Sequence, residues 1–127
     1  MEKLRQYIRA NQFERVYLLY GEERYLVQMY KNQLKKAIIG DDTMNLNQYT
    51  GKGLLVQEVE NAVMTMPFFA DRRLVLLEDT GLFKSSDEQW SNLVKTIPDS
   101  CHVLFVEQEV DKRSRMYKAV KECGYCA

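Results

Sequence analysis

Apolar residues along the chain follow two patterns in alternation. Val16 to Tyr20 is a continuous apolar run closed by Gly21, the signature of a strand covered on both faces. From Arg24 to Ile39 the spacing turns helical: Tyr25, Leu26, Met29, Tyr30, Leu34, Ala37 and Ile38 form a stripe, and Gly40 stands in the position of a C-terminal cap. Met44 to Tyr49 predicts a short strand, and Gly51-Lys52-Gly53 a turn. Leu54 to Met64 predicts a second helix through Leu55, Val59, Ala62 and Val63, which Pro67 brings to an end. Leu74 to Leu77, leading into Glu78-Asp79, is the strongest strand. Ser86-Asp87-Glu88-Gln89 then has the spacing of a capping box, with Ser86 as the cap, ahead of Trp90, Leu93 and Val94. Val103 to Val106 gives a fourth strand. Asp111 is the expected cap of a helix carrying Met116, Tyr117 and Val120, and Gly124 stops that helix before a fifth strand begins. Leu4, Tyr7 and Ile8 mark one more short helix at the start.

Strands that alternate with helices predict an α/β domain with a parallel sheet, helices on both faces and right-handed crossovers. Ligands of such sheets bind beyond the carboxyl ends of the strands, so the strand-to-helix turns are the places to look for chemistry.

Composition narrows the classes. A chain of 127 residues with 46% hydrophobic content is one domain that can bury a core without metal or disulfides. Lysine plus arginine equals aspartate plus glutamate, 18 against 18, which argues against holding nucleic acid or anionic membrane by bulk charge. No apolar run approaches the ~20 residues that span a bilayer, and Met1 to Arg5 lacks a signal peptide's apolar stretch. A cytoplasmic protein with no membrane partner is expected. Cys101, Cys123 and Cys126, an odd count, read as thiols of a reducing compartment. The chain stops within an apolar segment, Gly124 to Ala127, so a fragment of a longer protein is expected.

The first turn, Gly21-Glu22-Glu23-Arg24-Tyr25-Leu26, lacks the second glycine, lysine and hydroxyl of a phosphate loop. Glu22 and Glu23 also put negative charge where a triphosphate would meet the helix; they read as acids favouring a helix start. Leu74 to Asp79 is similar to a Walker B segment, an apolar strand ending in acids. It is a weak signal without a phosphate cradle. An atypical nucleotide hydrolase using Glu78 and Asp79 is therefore one alternative. A receiver-like signalling module with Asp79 as acceptor is another. Cys123 and Cys126 have the spacing of a redox or zinc pair, but they close a helix rather than open one, and Cys101 and His102 would point to opposite faces of a strand. His102, the one histidine, reads as structural. Lys112, Arg113, Arg115, Lys118 and Lys121 read as a solvated helix face, with phosphate contact the lesser alternative.

Met64 to Arg73 stands apart. Phe68 and Phe69 lie between a helix and a strand, flanked by Met64 and Met66, stiffened by Pro67 and followed by Arg72 and Arg73. Two fates are open to the rings: burial under the sheet, or outward presentation as an anchor for a partner's pocket, with Arg72 and Arg73 as its polar rim.

Three segments, in order, resemble the delta subunit family of bacterial DNA polymerase III clamp loaders. They are Val16 to Glu23, Pro67 to Glu78, and Ile97-Pro98-Asp99 with Val103 to Val106 and Val110 to Arg113. The resemblance implies that residues 1–127 are an N-terminal domain with a three-layer, P-loop-like fold of AAA+ type, a five-stranded mostly parallel sheet and a nucleotide site that has lost its function. Gly21, Glu22, Glu23, Glu78 and Asp79 would be the remnant of that site, and no cofactor is expected. Lid and collar domains would lie outside this sequence. It further implies that Phe68 and Phe69, with Met66 as neighbour, insert into the sliding clamp (the beta subunit) and help open it for loading onto DNA. The partners implied are the gamma/tau and delta prime subunits, and DNA within the loader, with Lys112, Arg113 and Arg115 as candidate DNA contacts. The Ser-Arg-Cys motif of other loader subunits is replaced by Lys121-Glu122-Cys123, which implies a subunit that is not itself catalytic.

Overall fold

The computed structural model describes residues 2–127. The elements run α1 (Glu2–Ala10), β1 (Val16–Tyr20), α2 (Arg24–Ile39), β2 (Leu46–Thr50), α3 (Val56–Met64), β3 (Arg73–Glu78), α4 (Glu88–Val94), β4 (Cys101–Glu107), α5 (Arg115–Cys123) and β5 (Tyr125–Cys126). The five strands form one sheet in the order β2-β3-β4-β1-β5, and every neighbouring pair is parallel.

Period-two alternation within the strands divides the core into two layers. Val16 and Leu18, Val75 and Leu77, and Val103 and Phe105 face α3, α4 and α5. Tyr17 and Leu19, Leu74 and Leu76, and Leu104 and Val106 face α1 and α2. The middle of each of these strands is therefore an unbroken apolar run, Val16 to Leu19, Leu74 to Leu77 and Val103 to Val106. The edge strand β2 is half-exposed and carries Asn47 and Gln48, so its sequence signal is weaker.

Two expected caps and a pair of expected first-turn acids shift when the backbone is in view. Asp87 rather than Ser86 caps α4, accepting from the Gln89 N–H at 2.9 Å. Ser114, not Asp111, caps α5, and Asp111 instead accepts from the Arg113 N–H in the turn before it. Glu22 and Glu23 precede the first turn of α2 instead of lying in it: Glu23 occupies the cap position with no side-chain cap bond. Gly124 ends α5 as expected, and here glycine is required by space. A Cβ at that position would lie 1.9 Å from the Val16 carbonyl oxygen, so the chain can turn into β5 against β1 only without a side chain.

Among the described residues no helix is long and apolar enough to cross a membrane. Every buried side-chain nitrogen and oxygen among them has a hydrogen-bond partner. The three cysteines are free thiols, and burial pushes Cys101 up to about 12 and Cys126 up to about 11. His102 is buried and its Nδ1 lies 2.7 Å from the Glu14 carbonyl oxygen; burial holds its pKa below the usual histidine range. This is the structural role read from the sequence.

Candidate functional site

Two places concentrate the residues singled out by the sequence, and they lie at opposite edges of the sheet. Chain direction reverses at the first strand: β1 leads through α2 to the far edge, whereas β4 leads through α5 to β5 on the other face. The crevice between the carboxyl ends of β1 and β4 is therefore the topological switch point, where doubly wound sheets take their ligands.

This crevice is lined by Gly21, Arg24, Val27, Gln28, Asp79, Val106, Glu107 and Gln108, and its free volume is only ≈ 10 Å³. That is room for about one water. Gly21 has φ +144°, a backbone region that side chains disfavour, and this lets β1 bend into α2. Glu78 and Asp79 come together here but are engaged with neighbours. Lys31 Nζ donates to Glu78 Oε1 at 3.1 Å and Gln28 Nε2 to its Oε2 at 3.3 Å, while Arg24 reaches Asp79 at 4.0 Å. Glu22 and Glu23 are exposed beside them. The third carboxylate of this edge, Glu107, is buried at the end of β4. It accepts from the Thr80 N–H at 3.1 Å, the Thr80 hydroxyl at 3.0 Å and the Gly81 N–H at 3.0 Å, and so fixes the loop after β3. Burial nevertheless raises its pKa above the usual carboxylate range, the three donors opposing that rise. Sequence reasoning passed over Glu107, although an apolar strand running into an acid repeats the pattern of Glu78.

The opposite, amino edge carries the aromatic turn. It joins α3 to β3 and so lies before a strand rather than after one. Phe68 is 53% exposed, Phe69 93% and Met66 76%, so both rings face outward; they meet edge to face with centroids 4.5 Å apart. Phe69 has φ +52°, the left-handed region that a bulky residue rarely adopts. Asn45, just ahead of β2, is fully buried and holds the turn from behind: Phe68 N–H donates to its Oδ1 at 2.6 Å, and its Nδ2 donates to the Phe68 carbonyl at 2.9 Å. Met44, next to Asn45, and Met64, at the end of α3, are exposed as well.

The two arginines divide. Arg72 donates to the Asn11 carbonyl at 2.8 Å and side-chain oxygen at 3.0 Å, with its guanidinium 4.8 Å from the Phe13 ring centre, tying the end of α1 to the turn. Arg73, expected at a polar rim, is buried instead. Its Nε donates to the Ala62 carbonyl at 3.1 Å and its Nη2 to Asn47 Oδ1 at 2.6 Å, so it satisfies the open C-terminal end of α3 from the first position of β3.

The candidate DNA-contact residues are at the carboxyl edge. Lys112 and Arg113 lie in the turn before α5, not on it, and Arg115 is its first residue. Arg113 pairs with Asp111 at 3.2 Å, Arg115 lies 4.0 Å from Glu88, and the Lys112 ammonium is 6.0 Å from the Tyr20 ring centre. Among the described residues no three of His, Cys, Asp and Glu are gathered to share a metal.

Sheet order, switch-point crevice and layers define the class: a doubly wound α/β domain with a five-stranded parallel sheet. The DNA clamp loader delta protein of Bacillus subtilis aligns with 98% of this chain over 41% of its own, with a TM-score of 0.85 and 17% identity. A DNA polymerase III gamma subunit-related protein of Thermotoga maritima aligns with 98% of this chain over 44% of its own, with a TM-score of 0.69 and 8% identity. At those identities the likeness is one of fold. Sequence carries it further: the profile described as DNA polymerase III, delta subunit, matches residues 17–125, and the chain belongs to that family. It is 27% identical over 124 residues to DNA polymerase III subunit delta of Bacillus subtilis, covering 87% of this chain and 35% of that protein. The chain thus spans about a third of the length of its curated relative.

Proposed function

We propose that this domain is the part of a clamp-loader delta subunit that grips the sliding clamp, through insertion of Phe68 and Phe69, with Met66 beside them, into an apolar pocket. The observation that carries the reading is a pair of aromatic rings facing solvent on a turn whose backbone is fixed by a buried side chain. Exposed aromatics have no reason to be held rigidly for the sake of the domain's own core, whereas a preorganised hydrophobic knob suits a partner's pocket. If the pocket fits better when one clamp interface is loosened, binding shifts the ring toward that state.

The domain acts on this reading without binding or hydrolysing ATP, as a descendant of a P-loop-like, AAA+ type fold. Support comes from the acids at this edge, with Glu78 engaged by Lys31 and Gln28 and Asp79 beside Arg24, and from a first turn with no glycine-rich phosphate cradle. The remaining loader subunits and DNA complete the set of partners, with Lys112, Arg113 and Arg115 as the candidate phosphate contacts at the other edge, and the cytoplasm is the place of action. Thermal melts with each ligand separate the readings. The sliding clamp is expected to be retained by the immobilised domain, and magnesium-ATP at millimolar concentration to leave the melting temperature unchanged. A melt raised by nucleotide, together with no clamp retention, points to the hydrolase reading instead.

A further inference from the structure

The aromatic turn is fastened by a residue 23 positions earlier in the chain, which belongs to the approach to a different strand. Asn45 pairs its amide with both backbone groups of Phe68, as a neighbouring strand would, at 2.6 and 2.9 Å. Its Nδ2 also donates to Asp42 Oδ2 at 2.7 Å, and Asp42 in turn accepts from the Met44 N–H at 2.9 Å. The Asn45 carbonyl accepts from the Leu74 N–H at 2.9 Å, so one residue ties both the turn and the start of β3 to the approach of β2. Both donor hydrogens and the acceptor of the side chain are thus used, and no other side chain of that size offers two donor hydrogens together with an acceptor. Aspartate keeps the acceptor and loses the donor; alanine loses both.

Core packing does not hold the Phe69 ring, which is almost wholly exposed. Left-handed backbone at Phe69, φ +52°, persists only where the surroundings over-determine it. We propose that Asn45, oriented by Asp42, is a positioning residue for partner docking: it locks the Phe68–Phe69 turn in its docking conformation before the clamp arrives. This rests on the reading of the two rings as the clamp anchor, and it adds that their rigidity is part of the affinity.

The test combines amide hydrogen exchange with clamp affinity, for the wild-type chain, Asn45→Ala and Asn45→Asp. The Phe68 amide is expected to exchange slowly in the wild type and quickly in Asn45→Ala, while the β3 amides of Leu74 to Leu77 stay protected. Clamp affinity is expected to fall about ten-fold in Asn45→Ala, with both rings still present, and by at least as much in Asn45→Asp, whose buried carboxylate would face the Asp42 carboxylate and the Phe68 carbonyl. In a Phe69→Ala background the same Asn45→Ala change is expected to cost about two-fold or less, because the two act through one turn. Equal Phe68 exchange in wild type and variant, or wild-type affinity in Asn45→Ala, overturns the proposal. Should Asn45→Ala lose protection throughout the sheet, Asp42→Ala, which removes the orienting carboxylate and keeps the Asn45 amide, carries the same two readouts. A clamp that binds the wild type and the Phe68→Ala, Phe69→Ala chain equally defeats the anchor reading instead, and the Phe68 amide then still decides whether Asn45 holds the turn.

Discussion

Phe69 sets its own side chain against its own backbone, and a pair of substitutions separates the two. Phe69→Ala and Phe69→Gly both remove the ring, which is 93% exposed and contributes little burial to the fold. They differ in what φ +52° costs them. A residue with a Cβ is disfavoured there by about 1–2 kcal/mol, and glycine is not. Glycine's looser unfolded state takes back about 0.4–1 kcal/mol. The difference leaves Phe69→Gly more stable than Phe69→Ala by about 1 kcal/mol, the reverse of the order inside a helix or strand. For a chain of this length that is about 4 °C in melting temperature. Loss of the edge-to-face contact with Phe68 affects both variants alike, so it cancels from the comparison. Urea and thermal melts of the two variants side by side measure the difference. An alanine variant as stable as the glycine one, or more so, would falsify the left-handed turn and with it the idea that the ring is kept there against a local cost.

Two further outcomes follow from the same structure. Gly124→Ala is expected to destabilise by more than ~2 kcal/mol, since its Cβ meets the Val16 backbone and must pry β5 from β1; a urea melt measures it, and near-neutral behaviour contradicts the close approach. Glu107 has a folded-state pKa raised above its unfolded value, mainly by burial, so the folded state holds its proton more tightly. The contribution of this group is then largest below the unfolded value, near pH 4.3, and declines as pH rises through the folded one. Relative to Glu107→Gln, the wild type should gain stability as pH is lowered from 7 toward 4.5, and a difference in melting temperature that does not change with pH contradicts this.

Much of the frame was legible in the amino-acid order because it is written in local patterns. β1, β3 and β4 are covered on both faces and therefore uninterrupted in apolar residues; α2 is bounded at Arg24 and Gly40 by one stripe and one cap. The outward aromatic turn was one of two open readings, and nothing within Met64 to Arg73 decides between them. What decides is Asn45, whose partner lies 23 residues away, and no periodicity reports a hydrogen bond over that distance. The same holds for Lys31 and Gln28 on Glu78 and for Glu107 on the Thr80 loop. Arg73 was misread for a related reason: the open end of α3 that it satisfies becomes its neighbour only when β3 folds beside the helix. Helix starts moved by one to three residues, to Asp87 and Ser114, because several polar residues stand in a row and backbone geometry alone selects among them.

Direct titration of the sliding clamp with the wild-type chain and with the Phe68→Ala, Phe69→Ala chain, both confirmed folded by matching melts, addresses the central claim. Phe69 has nearly its whole ring to bury and Phe68 about half, which at about 1.5–3 kcal/mol per fully buried ring amounts to about 3 kcal/mol. The account predicts a clamp affinity weakened about a hundred-fold or more by the double substitution. Equal affinity of the two chains contradicts it.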